Sequence, residues 1–405
     1  MKKLVKIKWI KILRNEMIPL KVFMKLLKLS LIFVIILGQS CDSKKNTFKK
    51  DPNAYYSGIE KAGAFDVVVC DISKITKKVK LPISKLIDNC ELVYLKTPDI
   101  LPELRRYDVS ENFICVAGEG EPVKLFKRNG TFITDIGKIG RGPGEYGFTP
   151  NQIIIEEESN SIFLIPAFGV DKIHHFDLEG NFVESITLLY KSPKAQVQIK
   201  SDTITVISMV FDDQTPIAYQ QSFDGKIIQR LPIIKNLISK PNFDNEIIST
   251  FNTNSLDFQI ASEDTLFHYN VTNNILEPQL VFMPIQNSIK PIIYEFPNYY
   301  YASGRYKKGG NKYERWDVII NRENLETVFC DEIVNDFYGG ITNRLFGCRN
   351  GRYIASKPAI KLINEITQIL KENEIDNQMK QKLKEILDHT QENDNDVLFI
   401  GKLKK

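Results

Sequence analysis

The chain has 405 residues, 43% hydrophobic and 26% charged, with a formal net charge of +4. That length holds one large or two ordinary domains, and the balance is that of a soluble globular protein. Residues 1–40 carry nine Lys/Arg and one Glu, a local +8 out of the total +4, which leaves −4 for the rest; such a body lacks the basic surface of a nucleic-acid binder.

The N-terminus reads as an address. Lys25 and Lys28 precede an uncharged apolar run from Leu29 to Gly38, too short to span a bilayer comfortably. Small residues Gly38 and Ser40 then lead to Cys41. The stretch "LGQSC" resembles a bacterial lipoprotein signal with a relaxed lipobox, with Gly38 and Gln39 departing from the strict pattern. That resemblance implies removal of residues 1–40, acylation of Cys41 and a membrane contact through the lipid. A start at Met24 would give the signal an ordinary length; an uncleaved signal anchor is the alternative. The polar residues 41–64 read as a flexible tether.

From residue 85 to about 359, short apolar runs alternate with turn residues, and helical periodicity is absent. A repeat runs through this region. "FKRNGTFITDI" (126–136) matches "FDLEGNFVESI" (176–186), and "FDGKIIQRL" (223–231) is a shortened copy. Weaker copies turn near Asn274 and Asn324. Each copy predicts a hairpin whose Gly130, Gly180 or Gly225 supplies positive φ. A further strand pair precedes the hairpin, as in "NQIIIEEE" and "SIFLIPAF" with a turn at Ser159-Asn160. Four strands in 45–50 residues is the arithmetic of a propeller blade. The expected fold is therefore all-β, a six-bladed β-propeller over residues 65–405. "CELVYLKT" (90–97) and "DVLFIGKLKK" (396–405) are expected to pair in the last blade and so remove an exposed edge.

Residues 359–393 break the pattern. Ile360, Ile363, Ile366 and Leu370, then Met379, Leu383 and Ile386, recur at helical spacing on either side of "NEIDN". A helical hairpin inserted in the last blade is predicted, serving as a packing element or a docking surface.

These motifs together resemble the six-bladed β-propeller lipoproteins of Bacteroidetes and, more distantly, NHL-repeat propellers. The segments carrying the likeness are "LPISKLIDNCELVYLKT", "LFKRNGTFITDIGKIGRGPGEY" and "IFLIPAFGVDKIHHFDLEGNFVESI". Many members have an Asp after the second strand of a blade, where this chain has Pro166. The resemblance implies the fold and a lipid-anchored location in the cell envelope, outer membrane rather than inner, facing the periplasm or the surface.

Candidate site residues are few. "KIGRGPGEYG" (138–147) has the glycines of a phosphate loop, but "FTPNQIIIEE" follows as a strand where a helix is needed. It reads instead as the crossing from one blade to the next. Arg141, Glu145 and Tyr146 on that crossing could line a pocket, the Arg for an acidic group and the Tyr for a sugar ring. Arg305 lies in "YYYASGRYKKGGNKYERW" (299–316), read as a long hairpin with "KKGGNK" at its tip. His174-His175 should point to opposite faces, one to the core and one outward. Arg344, Arg349 and Arg352 are expected in ion pairs within blades. Cys115 and Cys348 read as core thiols, a Cys70–Cys90 disulfide is open, and the cysteine spacing argues against a zinc site.

No catalytic arrangement is recognisable, and no cofactor is expected. The reading is an envelope-anchored module that binds a ligand or protein, glycans among them. Two alternatives stand beside it. One is a metal-dependent hydrolase, lactonase or lyase using the channel, with calcium held by Glu145 and Asp257. The other is a scaffold of an envelope complex.

Overall fold

The computed structural model describes residues 57–405 apart from 98, 169–170, 210–213, 233–245, 254, 284–287, 310–311, 343–347 and 373–374. Cys41, the signal and most of the expected tether lie outside the described residues.

Six antiparallel sheets follow one another along the chain. Blade I is Leu104–Val109, Phe113–Gly118, Val123–Lys127 and Phe132–Ile136. Blade II is Gln152–Glu156, Ser161–Ile165, Lys172–Phe176 and Phe182–Thr187. Blade III is Gln196–Lys200, Thr203–Ile207, Ala218–Ser222 and Ile227–Arg230. Blade IV is Ile247–Ile248, Asp257–Ile260, Thr265–Asn270 and Ile275–Met283. Blade V is Ser288–Glu295, Tyr299–Gly309, Lys312–Asn321 and Thr327–Asn335. Blade VI, among the described residues, is Arg352–Lys357, Val397–Lys402 and Glu91–Tyr94. This is a six-bladed β-propeller.

The ring closes as the sequence predicts. Glu91–Tyr94, from the N-terminal side, pairs antiparallel with the C-terminal strand, Val397 opposite Tyr94 and Ile400 opposite Glu91. The helical hairpin also falls where expected, between Lys357 and Val397. It comprises α1 (Ala359–Glu372) and α2 (Asn377–His389), the latter capped by Asp376 accepting from Met379 N at 2.8 Å. The buried stripe is not the predicted one throughout. Leu362, Ile366 and Ile369 join Leu383 and Ile386 in a core shared by blades V and VI, while Ile360 is exposed. The hairpin's apolar stripe is thus covered by this shared core and by residues 336–342, which follow the last strand of blade V.

The repeat is a literal one. Gly130, Gly180 and Gly225 sit at φ +83°, +88° and +82°, and each donates its N–H to the carbonyl three residues earlier. A bulge precedes each turn, at Leu125/Phe126, His175/Phe176 and Gln220/Gln221. This is a turn whose glycine must be left-handed, followed by an uneven register. In blades IV and V the corresponding positive φ falls on Asn274 and on Leu325, one residue beyond the predicted Asn324. The three glycines differ in their surroundings. A Cβ on Gly130 would lie 2.0 Å from the Tyr94 carbonyl oxygen of blade VI, whereas nothing lies within 4 Å at Gly225. Gly225→Ala should therefore cost about 1–2 kcal/mol, the left-handed penalty alone. Gly130→Ala should cost at least about twice that, because backbone must move. Denaturant midpoints of the two variants check this, and equal losses would contradict it.

Buried glutamines couple neighbouring blades. Gln152 donates to the Val197 carbonyl at 2.6 Å and accepts from Val197 N–H at 2.8 Å. Gln259 does the same to blade V through the Pro291 carbonyl (2.7 Å) and Ile293 N–H (2.9 Å). The side-chain amide acts as one more peptide unit and satisfies groups that burial would otherwise leave unpaired.

One segment departs from expectation. Residues 57–62, assigned above to a tether, form the strand Ser57–Ala62, paired with Phe65–Asp71. The latter runs parallel to the outer strand of blade IV, Val68 opposite Leu280. Lys78–Pro82 then runs parallel to the outer strand of blade V, and Glu91–Tyr94 supplies the outer strand of blade VI. The N-terminal segment thus laces three successive blades along their rims and covers two outer edges. Local patterning could not show this, since the partners lie some 200 residues away.

Candidate functional site

The propeller has two faces. One, here called the loop face, carries the crossings between blades and the loops between second and third strands. The other, the turn face, carries the remaining turns.

The crossing "KIGRGPGEYG" lies on the loop face and is folded on itself. Lys138–Ile139 pairs with Glu145–Tyr146. The Glu145 carboxylate accepts from Arg141 N–H at 2.9 Å and Gly142 N–H at 2.8 Å. The amides that a glycine-rich loop would offer an anion are thus filled by the loop's own glutamate. Tyr146 is 5% exposed. Its hydroxyl donates to the Ile136 carbonyl and accepts from Val123 N–H, both at 2.7 Å. With its ring in the core of blades I and II, it has no face for a sugar, which corrects the expectation. Arg141 remains exposed. Arg305 is exposed too, on a strand of blade V running toward the loop face. The predicted hairpin there is present, paired through Gly309 and Lys312, with its tip outside the described residues. Arg141 and Arg305 thus share a face but sit on different blades.

Sequence reasoning missed the two aromatic rings that stand out on this face. Phe148, next to the glycine loop, is 68% exposed, and Phe168, in the loop after the second strand of blade II, is 54% exposed. They meet edge to face with centroids 6.1 Å apart. Lys194 lies 5.9 Å over the Phe168 ring, and its Nζ pairs with Glu246 at 2.7 Å. They are the two most exposed aromatic side chains among the described residues. The reading of both phenylalanines as strand residues hid them: the strands run only over Ser161–Ile165 and Gln152–Glu156, which leaves Phe168 and Phe148 in loops.

The channel is closed near the turn face by polar groups drawn from all six blades. Asp108 (blade I) accepts from Ile155 N–H at 2.9 Å and from the Asn350 side chain at 2.8 Å. Arg349 (blade VI) reaches across the ring to Gln196 of blade III at 3.2 Å and lies 5.8 Å from the Phe251 ring. Glu295 (blade V) accepts from Thr250 Oγ1 at 2.8 Å and Asn252 N–H at 3.0 Å. Phe251, Asn350 and Gly351 hold positive φ, so the chain turns sharply to bring these groups inward. Burial raises the Asp108 carboxyl above its usual range. It lowers the Arg349 guanidinium to about 10, with the Asp108 charge opposing. Arg349 forms no ion pair among the described residues, contrary to expectation. Arg352 pairs with Glu111 at 2.8 Å, between blades rather than within one, and Arg344 lies outside the described residues.

Burial, reinforced by the Asp257 charge, pushes the Glu295 carboxyl up to about 8. The folded chain then keeps a proton that an unfolded glutamate releases near pH 4.3. Stability should therefore fall as pH rises from about 5 through 8, by up to roughly 1.4 kcal/mol per unit. His268, raised by its bond to Asp257, acts in the same sense. Glu295→Gln should flatten the dependence; denaturation at pH 5.5 and 8 checks it, and an unchanged slope would refute the assignment.

Asp257 takes Ser255 Oγ at 2.7 Å on one oxygen and His268 Nδ1 at 2.7 Å on the other. The imidazole is therefore not the serine's base, as general-base activation requires. The calcium candidates are not brought together: Glu145 is spent on its loop and Asp257 on Ser255 and His268. No group of three or more His, Cys, Asp or Glu side chains among the described residues could hold a metal ion. His174 and His175 do point to opposite faces, but both are half-buried and each meets a serine, Ser185 at 3.1 Å and Ser161 at 2.9 Å. Cys70 and Cys90 are unpaired thiols, pushed by burial to about 12 and about 11, so the open disulfide is not formed. Cys115 and Cys348 are buried, as expected.

A family described as 6-bladed beta-propeller matches residues 60–276, more than half of the chain. The chain belongs to this six-bladed β-propeller family. Among solved structures, the propeller is similar to an exported protein of Bacteroides fragilis NCTC 9343. The identity is 15% and the TM-score 0.54, over 81% of this chain and 99% of that one. More distant likenesses are the computationally designed Ika8 protein (8% identity, TM-score 0.35, 57% and 62% of the two chains) and the WD40 domain of SCAP from fission yeast (14%, 0.34, 67% and 65%). No curated protein matches. The structural likenesses concern the fold alone.

Proposed function

We propose that this propeller is a lipid-anchored binding module of the bacterial cell envelope, tethered through Cys41 and taking its ligand on the loop face. Glycans are the ligand class the site suits. The carrying observation is the exposed Phe148–Phe168 pair beside Lys194. Paired rings held in water on two neighbouring loops offer apolar faces to a sugar, and Lys194, itself paired with Glu246, borders them. Arg141 and Arg305 add cations to the same face. The anchor rests on the apolar run and Cys41, and the similar B. fragilis structure is described as exported. The fifteen residues from 42 to 56 span at most about 50 Å when extended. The outer membrane, facing periplasm or surface, is the location this reading assigns.

Binding of the full chain to an oligosaccharide array tests the site. Phe148→Ser with Phe168→Ser should lower affinity for the selected glycan about tenfold or more, each ring contributing about 0.5–1.5 kcal/mol. Equal affinity would refute the site. Palmitate should label the wild type and not Cys41→Ala; equal labelling would sink the anchor.

A further inference from the structure

A cavity opens on the turn face, away from the aromatic pair, with a volume of about 630 Å³. Arg322, Arg352, Lys402 and Lys405 line it, and no Asp or Glu side chain does so among the described residues. Three elements bring the cations together: the outer turn of blade V, the turn into Arg352–Lys357, and the closing strand with the residues after it. Arg322 is fixed in place. Its Nη1 donates to the Phe296 carbonyl at 3.0 Å and its guanidinium lies 4.7 Å from the Tyr300 ring centroid. Among the described residues, Arg352 is the one of the four in a salt bridge, with the exposed Glu111, whose carboxylate Lys402 also influences.

The acids behind the wall do not cancel this charge. Asp257 is taken by His268 and Ser255, and burial holds the Glu295 proton to about pH 8. Asn252 contributes a second, independent observation. It is 5% exposed and lines the cavity, its Nδ2 donates to the Glu295 carbonyl at 3.1 Å, and its Oδ1 has no hydrogen-bond partner among the described residues. A buried acceptor without a donor calls for a hydroxyl or water from outside.

We infer that this cavity binds a compact ligand carrying phosphate or sulfate groups and at least one hydroxyl, the anions facing Arg322, Lys402 and Lys405 and the hydroxyl facing Asn252. A phosphorylated or sulfated sugar and an anionic lipid headgroup both present that chemistry.

Titration of the detergent-purified full chain tests it, with a sulfated disaccharide, glucose 6-phosphate and vesicles of phosphatidylcholine with one-fifth phosphatidylglycerol as probes. At least one probe should bind, and its affinity should fall as salt rises to physiological strength. Binding of soluble sugars identifies the ligand as free, and binding of vesicles alone identifies it as a headgroup. Lys402→Gln with Lys405→Gln should weaken binding about tenfold while the melting temperature stays unchanged. Phe148→Ser with Phe168→Ser should leave it intact, which separates this site from the loop face. No binding of any probe at low salt, or equal binding by the lysine double variant, would overturn the inference.

Discussion

Deleting Ser57–Pro82 should unfold or precipitate the protein rather than shorten its tether. The segment buries Val67, Cys70, Ile72, Ile75 and Leu81. Cys70, Ile72 and Ile75 pack with Leu280, Phe282 and Trp316. Full burial of one apolar side chain stabilises by about 1.5–3 kcal/mol. Five of them amount to on the order of 10 kcal/mol before ordering entropy is subtracted, comparable with the whole net stability of a domain. The deletion also bares the outer strands of blades IV and V, which invites intermolecular pairing. Ile72→Ala is the gentler probe and should cost about 2–4 kcal/mol while preserving the fold. Melting curves and size-exclusion profiles give the readout. A deletion variant that melts like the wild type would show that the strands merely decorate the rim.

Asp108→Ala should be the most damaging single change in the channel, at about 3–5 kcal/mol. It strands Ile155 N–H and the Asn350 amide without an acceptor and removes the carboxylate that most offsets the buried Arg349 charge. Asp108→Asn restores one of two acceptors and should recover part of the loss. If alanine costs less than about 1 kcal/mol, the polar closure of the channel is not holding blades I, II and VI together.

These two sites mark what the amino-acid sequence shows and what it hides. Blade turns are local chemistry, so Gly130, Gly180 and Gly225 announce them, and terminal pairing follows from the need to bury an edge. Lacing by residues 57–82 is a long-range pairing with no local period. The channel closure hides for the same reason, since Asp108, Gln196, Glu295 and Arg349 are scattered over some 240 positions. Residue type also misled at the glycine loop. Glu145 and Tyr146 have the chemistry of a ligand site, but the loop's own amides and the core between blades I and II have taken them. Phe148, two positions beyond Tyr146, is what the loop presents to solvent.

The most direct test is hydrogen exchange on the full chain with and without the oligosaccharide selected by the array. The account predicts slowed exchange over residues 138–151 and 190–196, around Phe148 and Lys194, with the turn face unchanged. Protection confined to the turn-face segments 249–256 and 348–352, with the loop face unaffected, would contradict it.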